Sequence, residues 1–206
     1  MKKIAFILIA TLAMATGVQA QWHITTGIEG KVVNSGDDNT FLGGLYAGGG
    51  YHFAFGKVVG LTLDGAISKV TSTTSDYTLG VHTYYHNYSE TLAHLPMMVD
   101  FRIPLGEESG IYVLCGPSLS FAITSARHEW RDDDSPHTYI NYYNGDEVSE
   151  DELLRRFNVS GTLGACLRLR MFNVHLGARM PLLNRRVADA TKETAVSLFL
   201  GVGLVF

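Results

Sequence analysis

The segment 193–206 alternates along its length between large apolar and mostly small side chains. The residues of the apolar face are Val196, Leu198, Leu200, Val202, Leu204 and Phe206. A repeat of two residues is the period of a β-strand and not of a helix. The segment therefore predicts a strand whose apolar face is covered, either by the core of a soluble β-sandwich or by the lipid around a membrane barrel.

The same alternation recurs along the rest of the chain and predicts further strands. With 193–206 they number eight, the others being 22–33, 41–55, 58–74, 81–103, 111–130, 157–170 and 172–180. The connections after the second, fourth and sixth strands are short, and the others are longer and polar. Antiparallel strands of even number place both ends on one side, together with the short turns. This order predicts an all-β fold, a closed eight-stranded antiparallel up-and-down transmembrane β-barrel with short periplasmic turns and longer extracellular loops.

The polarity of the two faces also favours a membrane barrel. The less apolar face carries charges of both signs and imidazoles, at Glu29, Lys31, His52, Asp64, His94, Asp100, Arg102, Arg168, Arg170, His175 and Arg179. These side chains can meet across the narrow lumen of an eight-stranded barrel, which disfavours a constitutive pore. Outward aromatic residues form two girdles, a periplasmic one at Trp22, Tyr51, Phe53, Phe55, Phe101, Phe172 and Phe206 and an extracellular one at Phe41, Phe121 and Phe157.

The beginning of the chain and its composition indicate an exported protein. Residues 1–20 combine a basic start, an apolar run and a small residue at Ala20, which predicts a signal peptide and a mature barrel domain at 21–206. Apolar residues make up 46% of the chain and charged residues 17%, with 22 glycines, as in transmembrane barrels. The formal charge of −4 argues against nucleic acid as a partner. We expect the outer membrane of a Gram-negative bacterium as the location.

No residue is assigned a catalytic, cofactor-binding or metal-binding role from the sequence. Cys115 and Cys166 fall on opposite faces of the predicted sheet, so we expect two free thiols. His82 and His86 lie roughly 13 Å apart on an extended strand and cannot share one ion. The loop 131–156 is acidic and could hold Ca²⁺ loosely, although such runs are more often solvated loops and no calcium-loop spacing is present.

Enzymatic activity is not expected, with a lipid-modifying enzyme resembling a lipid A deacylase as the alternative. The segment 86–90 holds a histidine, a serine and a glutamate, the residue types of a hydrolase triad. His86 and Ser89 have opposite parity on an extended strand, so their side chains point apart.

The long loop 131–156 contains Ser149 followed by Glu152, a capping-box spacing that predicts one short helix.

Three segments resemble the PorT-like outer-membrane β-barrel family of Bacteroidetes. They are 94–101 (HLPMMVDF), similar to that family's "IPLLLKY" strand, 110–121 (GIYVLCGPSLSF), similar to its "G-hydrophobic-x-GP" strand, and the closing strand 201–206 (GVGLVF). The resemblance covers the whole mature chain and implies a small barrel, with a link to protein secretion as a further alternative. Phe206 also resembles the terminal signal that the barrel-assembly machinery recognises.

The long extracellular segments are the expected binding regions. Predicted strands three to six continue past the span of a membrane, and tyrosines decorate the projecting part. Loops 75–88 and 127–156 are therefore expected to contact an extracellular protein or glycan, in a structural or adhesive role. The barrel is expected to be a monomer surrounded by outer-membrane lipid and lipopolysaccharide.

Overall fold

The computed structural model describes residues 19–35, 38–73, 75–106, 109–132, 138–150, 152–187 and 193–206. In chain order the strands are β1 Gln19–Ser35, β2 Asp38–Phe55, β3 Val59–Ser72, β4 Ser75–Leu79, β5 His82–Pro104, β6 Ser109–Arg131, β7 Thr138–Asn141, β8 Phe157–Leu169, β9 Phe172–Pro181 and β10 Glu193–Val205. Most of the predicted signal peptide lies outside the described residues, and cleavage after Ala20 stays a prediction. Within the described part of the chain, no helix has the length and hydropathy needed to cross a membrane.

Eight of these strands form a closed antiparallel ring in the order β1, β2, β3, β5, β6, β8, β9 and β10. The ring closes where β1 pairs with β10, for example with Ile28 opposite Leu200. The predicted closed eight-stranded barrel and its closing pair are confirmed. The two remaining strands stand outside the ring, because β4 pairs only with β5 and β7 pairs only with β6.

The two faces of the barrel wall have the predicted polarity. On the outside, Leu45 is 67% exposed and Leu198 is 62% exposed, and the residues of both aromatic girdles point outward. On the inside, Glu29 is 2% exposed and Asp100 is 1% exposed. Apolar residues outside and charges inside are the reverse of a soluble sandwich, so the soluble alternative does not describe this wall.

Short turns join the strands at the end of the barrel where β1 begins and β10 ends. They contain Gly56, which has φ +90°, and Arg170, which has φ 54°. Arg170 was predicted to be the last inward residue of the strand 157–170, and this is wrong, because β8 ends at Leu169. Arg170 occupies the tight turn between β8 and β9 and is exposed, because strand alternation ends where the backbone enters the left-handed region.

Close packing inside the barrel explains two glycines that face each other in the β1–β10 ladder, Gly27 and Gly201. A Cβ added to Gly201 would lie 2.0 Å from the Tyr46 hydroxyl, and one added to Gly27 would lie 2.8 Å from the same ring. The ring of Tyr46 therefore fills the space in the lumen next to Gly27 and Gly201, and it leaves no room for a side chain at either position.

At the opposite end, β5 and β6 rise above the ring and are widened by β4 and β7. The start of the predicted loop 75–88 is wrong, because Ser75 begins β4 and pairs with β5. The short helix expected at Ser149 is also absent from the described residues. Glu152 and Leu153 donate their amides to the Ser149 carbonyl in a single turn, and Leu154 then donates to Tyr142 and pairs with Arg186 instead of continuing a helix.

Candidate functional site

We call the four strands above the barrel rim the upper sheet: β4, residues 82–91 of β5, residues 124–131 of β6, and β7. Outward residues of β5 become polar above Ala93, so the apolar part of that strand is 93–103 and the upper sheet stands clear of it. Its outer strands β4 and β7 each have one edge that pairs with no strand of the described chain. Such edges can accept another extended segment.

A β-bulge decides which side chains the upper sheet presents. Thr91 pairs with Thr124, whereas Leu92 pairs with Ala122, so Ile123 is an extra residue in β6. One extra residue reverses the in-and-out alternation of the strand beyond it. Above the bulge the even-numbered residues of β6 therefore continue the outer surface of the barrel.

The outward face of the upper sheet carries four aromatic rings in a row, which we call the aromatic row: Tyr85, Trp130, His128 and Tyr139. The rings of Tyr85 and Trp130 are stacked at 5.8 Å and 19°. His128 lies 5.0 Å from Trp130 and 6.5 Å from Tyr139. The row crosses β5, β6 and β7, and Tyr139 at its end is 59% exposed. Aromatic rings with polar atoms at the edge suit contacts with proteins and sugars.

The opposite face of the upper sheet turns toward the mouth of the barrel. Tyr77 and Tyr84 stack there at 5.1 Å and 8°. Lower down, Tyr88 and Tyr142 meet edge to face at 5.7 Å. The tyrosines that the sequence placed together on the projecting part are thus divided between two faces, and only Tyr85 and Tyr139 join the aromatic row.

The mouth is closed by a buried cluster of charges, which we call the mouth cluster: Glu90, Lys31, Arg185 and Glu193. Glu90 is fully buried, and its carboxylate accepts hydrogen bonds from Lys31 and Arg185. The Tyr143 hydroxyl donates to the same carboxylate at 3.4 Å. Arg185 also pairs with Glu193 at 3.0 Å. Since Arg185 belongs to the connection between β9 and β10, the described part of that connection, residues 182–187, reaches inward over the lumen.

Electrostatics favour the charged state of this cluster. Burial alone would raise the pKa of Glu90, but the Arg185 and Lys31 charges outweigh it and hold that pKa below the ordinary value of a glutamate. Burial, and then the negative charge of Glu90, raise the pKa of Tyr143, so this hydroxyl stays protonated and donates. The mouth cluster is therefore a set of paired charges, buried away from water at the mouth of the barrel.

Below the mouth cluster, further polar contacts fill the lumen. In the described chain they include His23 with Asp64 at 2.9 Å, His52 with Asp100 at 3.0 Å, Arg179 with Glu29 at 3.3 Å, and His94 between Ser68 and Ser120 at 2.9 Å each. The predicted meeting of opposite charges across the lumen is confirmed for Arg179 and Glu29, whereas His94 lies between two neutral hydroxyls. Arg168 is an exception, since it forms no ion pair with any described residue and bonds to the Gln21 amide instead.

The residues weighed as a hydrolase triad do not assemble as the sequence grouped them. His86 Nε2 lies 2.8 Å from the Oγ of Ser75 on β4, and not against Ser89. Glu129 is opposite His86 in the ladder, but its carboxylate pairs with Arg127, and Nδ1 of His86 has no hydrogen-bond partner. The pair Ser75–His86 therefore lacks an orienting acid.

The described residues show how the potential metal ligands and the two cysteines are arranged. No group of three or more potential ligands comes together among them, and part of the acidic loop, including 133–137 and Asp151, lies outside them. Glu147 does not offer a free carboxylate. The Asn141 backbone amide and then the Asn144 side chain bind it and lower its pKa. Cys115 is exposed, Cys166 is buried, and both are free, which confirms that prediction.

Comparisons with known proteins find likeness in structure only. No family model and no curated protein sequence matches the chain. The attachment invasion locus protein Ail of Yersinia pestis is 13% identical over 91% of this chain and 99% of that one, with a TM-score of 0.46. Neisserial surface protein A is 9% identical over 90% and 98%, with a TM-score of 0.43. The N-terminal β-barrel domain of Pseudomonas aeruginosa OprF is 14% identical over 91% and 100%, with a TM-score of 0.32.

These neighbours share an arrangement of strands with this chain, and no residue role passes from them. The PorT-like resemblance of segments 94–101, 110–121 and 201–206 stays a prediction. The sequence missed Trp130 and His128 of the aromatic row because the bulge that turns them outward leaves no pattern of its own. It also missed Glu90 and Arg185, which are 95 positions apart and meet only in the closed barrel.

Proposed function

We propose that this chain is an integral outer-membrane β-barrel protein that binds an extracellular partner through its upper sheet, in a structural or adhesive role. The observation that supports it is the wall of the barrel, apolar outside and charged inside, with a separate sheet standing above the apolar part. In a bilayer the apolar outside would face lipid and lipopolysaccharide, and all ladder hydrogen bonds of a closed ring are satisfied there.

The location is tested by fractionation and by gel migration. The protein is expected in the outer-membrane fraction, and the detergent-folded barrel should migrate faster before boiling than after it. Recovery in a soluble fraction with no heat-modifiable form would refute the membrane assignment. Deletion of Phe206, whose ring stacks on Trp22 at 4.2 Å, tests whether the barrel-assembly machinery uses this residue.

The partner-binding role rests on the aromatic row. Its rings belong to three neighbouring strands and present one surface, whereas a sheet that served only to resist proteases would gain nothing from aligned, half-exposed rings. An extracellular protein or glycan would lie across Tyr85 and Trp130. Contact with the strand edges of β4 or β7 would add backbone hydrogen bonds.

Binding is measured with the whole detergent-folded protein on glycan arrays and on host-cell surfaces. Trp130→Ala and Tyr85→Ala should each weaken binding by about tenfold, the effect expected for a large aromatic in a contact. Tyr77→Ala on the opposite face is the matched control and should leave binding unchanged. Equal losses from all three variants would show that general damage to the sheet, and not the aromatic row, reduces binding.

A hydrolase acting on lipid is the second candidate, and one observation favours it. Ser75 and His86 form a nucleophile–base contact of 2.8 Å at the edge of a cleft of about 510 Å³ that extends to Phe41 in the upper girdle. The missing orienting acid makes it the weaker candidate. Expression in a Gram-negative host should leave the mass of lipid A unchanged, and a mass shift that Ser75→Ala abolishes would establish the hydrolase instead.

A further inference from the structure

The end of the barrel that carries the short turns contains a cavity of about 440 Å³ rich in positive charge. Its cationic lining residues are Lys57, Arg102, Arg168 and Arg170, whereas Asp100 supplies the one acidic side chain among the described residues that line it. In the proposed orientation this cavity opens to the periplasm. It lies at the opposite end of the barrel from the upper sheet and the mouth cluster.

Asp100 does not pair with Arg168, because its two oxygens lie against other residues. One oxygen contacts His52 Nε2 at 3.0 Å, and the other accepts a hydrogen bond from the Thr62 hydroxyl at 3.1 Å. Asp100 is 1% exposed. Its carboxylate is thus directed toward His52 and Thr62, and no ion pair joins it to Arg168.

Arg168 is the best-placed cation for a ligand. It is 9% exposed, and its guanidinium donates one hydrogen bond, to the Gln21 amide oxygen at 2.6 Å. It stacks over the ring of Tyr112 at 4.6 Å, and its Nε has no hydrogen-bond partner. Within the described parts of the chain, only the neutral Gln21 amide and the Tyr112 ring are recorded as partners of this positive charge.

Buried cations are normally matched by anions, since leaving one unmatched costs several kcal/mol. Two other buried arginines obey this rule, as Arg179 pairs with Glu29 and Arg185 pairs with Glu90 and Glu193. Arg168 departs from it, and it faces a cavity large enough for a small molecule. The anion that the rule demands would therefore come from outside the described chain.

We propose that this cavity binds an oxyanion group, either a phosphate or a carboxylate, at the guanidinium group of Arg168. Tyr112 holds that group in place, because its ring centroid lies 4.6 Å from it. A guanidinium fork can hold an oxyanion in two-point contacts. The proposal requires the closed barrel and does not depend on what the upper sheet binds.

The first test uses the unmodified barrel, folded in a neutral sugar detergent. Urea unfolding is followed in sodium phosphate, sodium acetate and sodium chloride at one ionic strength. A ligand that binds only the folded state raises the midpoint in proportion to its occupancy. Phosphate also stabilises folded proteins by its exclusion from their surface. A higher midpoint in phosphate than in acetate therefore identifies a phosphate source where Arg168→Gln removes the difference, and the reverse, removed in the same way, identifies a carboxylate source. Identical midpoints in all three salts would overturn the proposal.

The second test assigns the effect to Arg168. In Arg168→Gln the dissociation constant for the favoured anion should rise by about tenfold or more, since a hydrogen bond to a charged group contributes on the order of 1.5–3 kcal/mol. Lys69→Gln removes the same charge from the exposed outer surface of β3 and is the matched control. Equal anion affinity in the wild type and Arg168→Gln would refute the assignment.

A structural role for Arg168 has a different signature. If Arg168 only held the wall together, Arg168→Gln would unfold at lower urea in chloride as well as in phosphate. An anion site predicts that its midpoint in chloride is unchanged or higher, because the variant no longer has an unmatched charge. Arg168→Lys keeps the charge and loses the fork, and it should bind the anion more weakly than the wild type and more tightly than Arg168→Gln.

Discussion

The substitution Glu90→Gln in the mouth cluster is expected to lower the free energy of unfolding. Glutamine keeps the shape of glutamate and one acceptor oxygen, so the change removes a charge and little volume. It leaves Lys31 and Arg185 facing each other in the buried mouth, where they bind different oxygens of the Glu90 carboxylate. The single amide oxygen of glutamine replaces only one of those two acceptors, and the amide NH2 group faces the other cation. Arg185 retains Glu193 at 3.0 Å, whereas Lys31 loses its buried carboxylate partner.

The size of the effect follows from the burial of the cluster. Lys31 and Glu90 have side chains 4% and 0% exposed, so solvent does little to screen the loss. Removing one partner of a buried ion pair costs about 3–5 kcal/mol, and the retained acceptor places Glu90→Gln near the lower end. A loss of about 3 kcal/mol raises the unfolding equilibrium constant roughly a hundredfold.

The assay is urea unfolding in a neutral detergent, followed by the fluorescence of the two tryptophans, Trp22 and Trp130. Glu90→Gln should lower the midpoint at neutral pH, whereas Glu150→Gln, which changes an exposed carboxylate, should leave it nearly unchanged. A midpoint for Glu90→Gln equal to that of the wild type at neutral pH would show that Glu90 does not hold the mouth closed.

The pH dependence gives a second criterion for the same substitution. The pKa of Glu90 is lowered in the folded barrel, so its stabilising contribution is present above the ordinary glutamate pKa. This contribution is lost as the pH falls through the lowered folded value. The wild type and Glu90→Gln should therefore converge in acid. A stability difference that stayed constant to the lowest pH would contradict the charge-based explanation.

Three further predictions concern packing, thiol access and assembly. Gly201→Ala should destabilise the barrel by about 1–3 kcal/mol through overpacking against a tyrosine hydroxyl, whereas Gly161→Ala, whose Cβ would meet nothing within 4 Å, is the control in the same unfolding assay. A maleimide should label Cys115 in the folded detergent-solubilised protein and leave Cys166 unlabelled until the barrel is unfolded. Deleting Phe206 should lower the folded, membrane-inserted fraction in cells without changing the amount synthesised, and normal insertion would contradict its role as an assembly signal.

Local patterns in the sequence were sufficient to assign a side chain to the outer or the inner face wherever that depends only on its own strand. The alternation in 193–206 identified which residues of β10 face outward and which face the lumen, and the same rule placed Cys115 and Cys166 on opposite faces. The rule failed where the backbone leaves the regular pleat. Arg170 lies in a turn, and Trp130 lies beyond a bulge that reverses the alternation.

Partners across the lumen could not be assigned from the sequence, because a residue's parity shows which way it points and not which residue it meets. The sequence placed Arg168 and Arg179 on one inner face with identical expectations. In the closed barrel Arg179 reaches Glu29, whereas Arg168 reaches only the Gln21 amide and faces the charged cavity. That difference depends on the register of β1, β8 and β9, which decides how far along the barrel axis each of these residues lies.

The sequence by itself determined the class of fold, since a period of two, an apolar outer face and connections that alternate in length are local properties of a chain that must satisfy its backbone in lipid. Tertiary structure alone decided the candidate sites. The closing of the ring joins Glu90 to Arg185, the bulge aligns the aromatic row, and the register of the strands leaves Arg168 without a carboxylate. Each depends on contacts between strands far apart in the chain, which no single strand encodes.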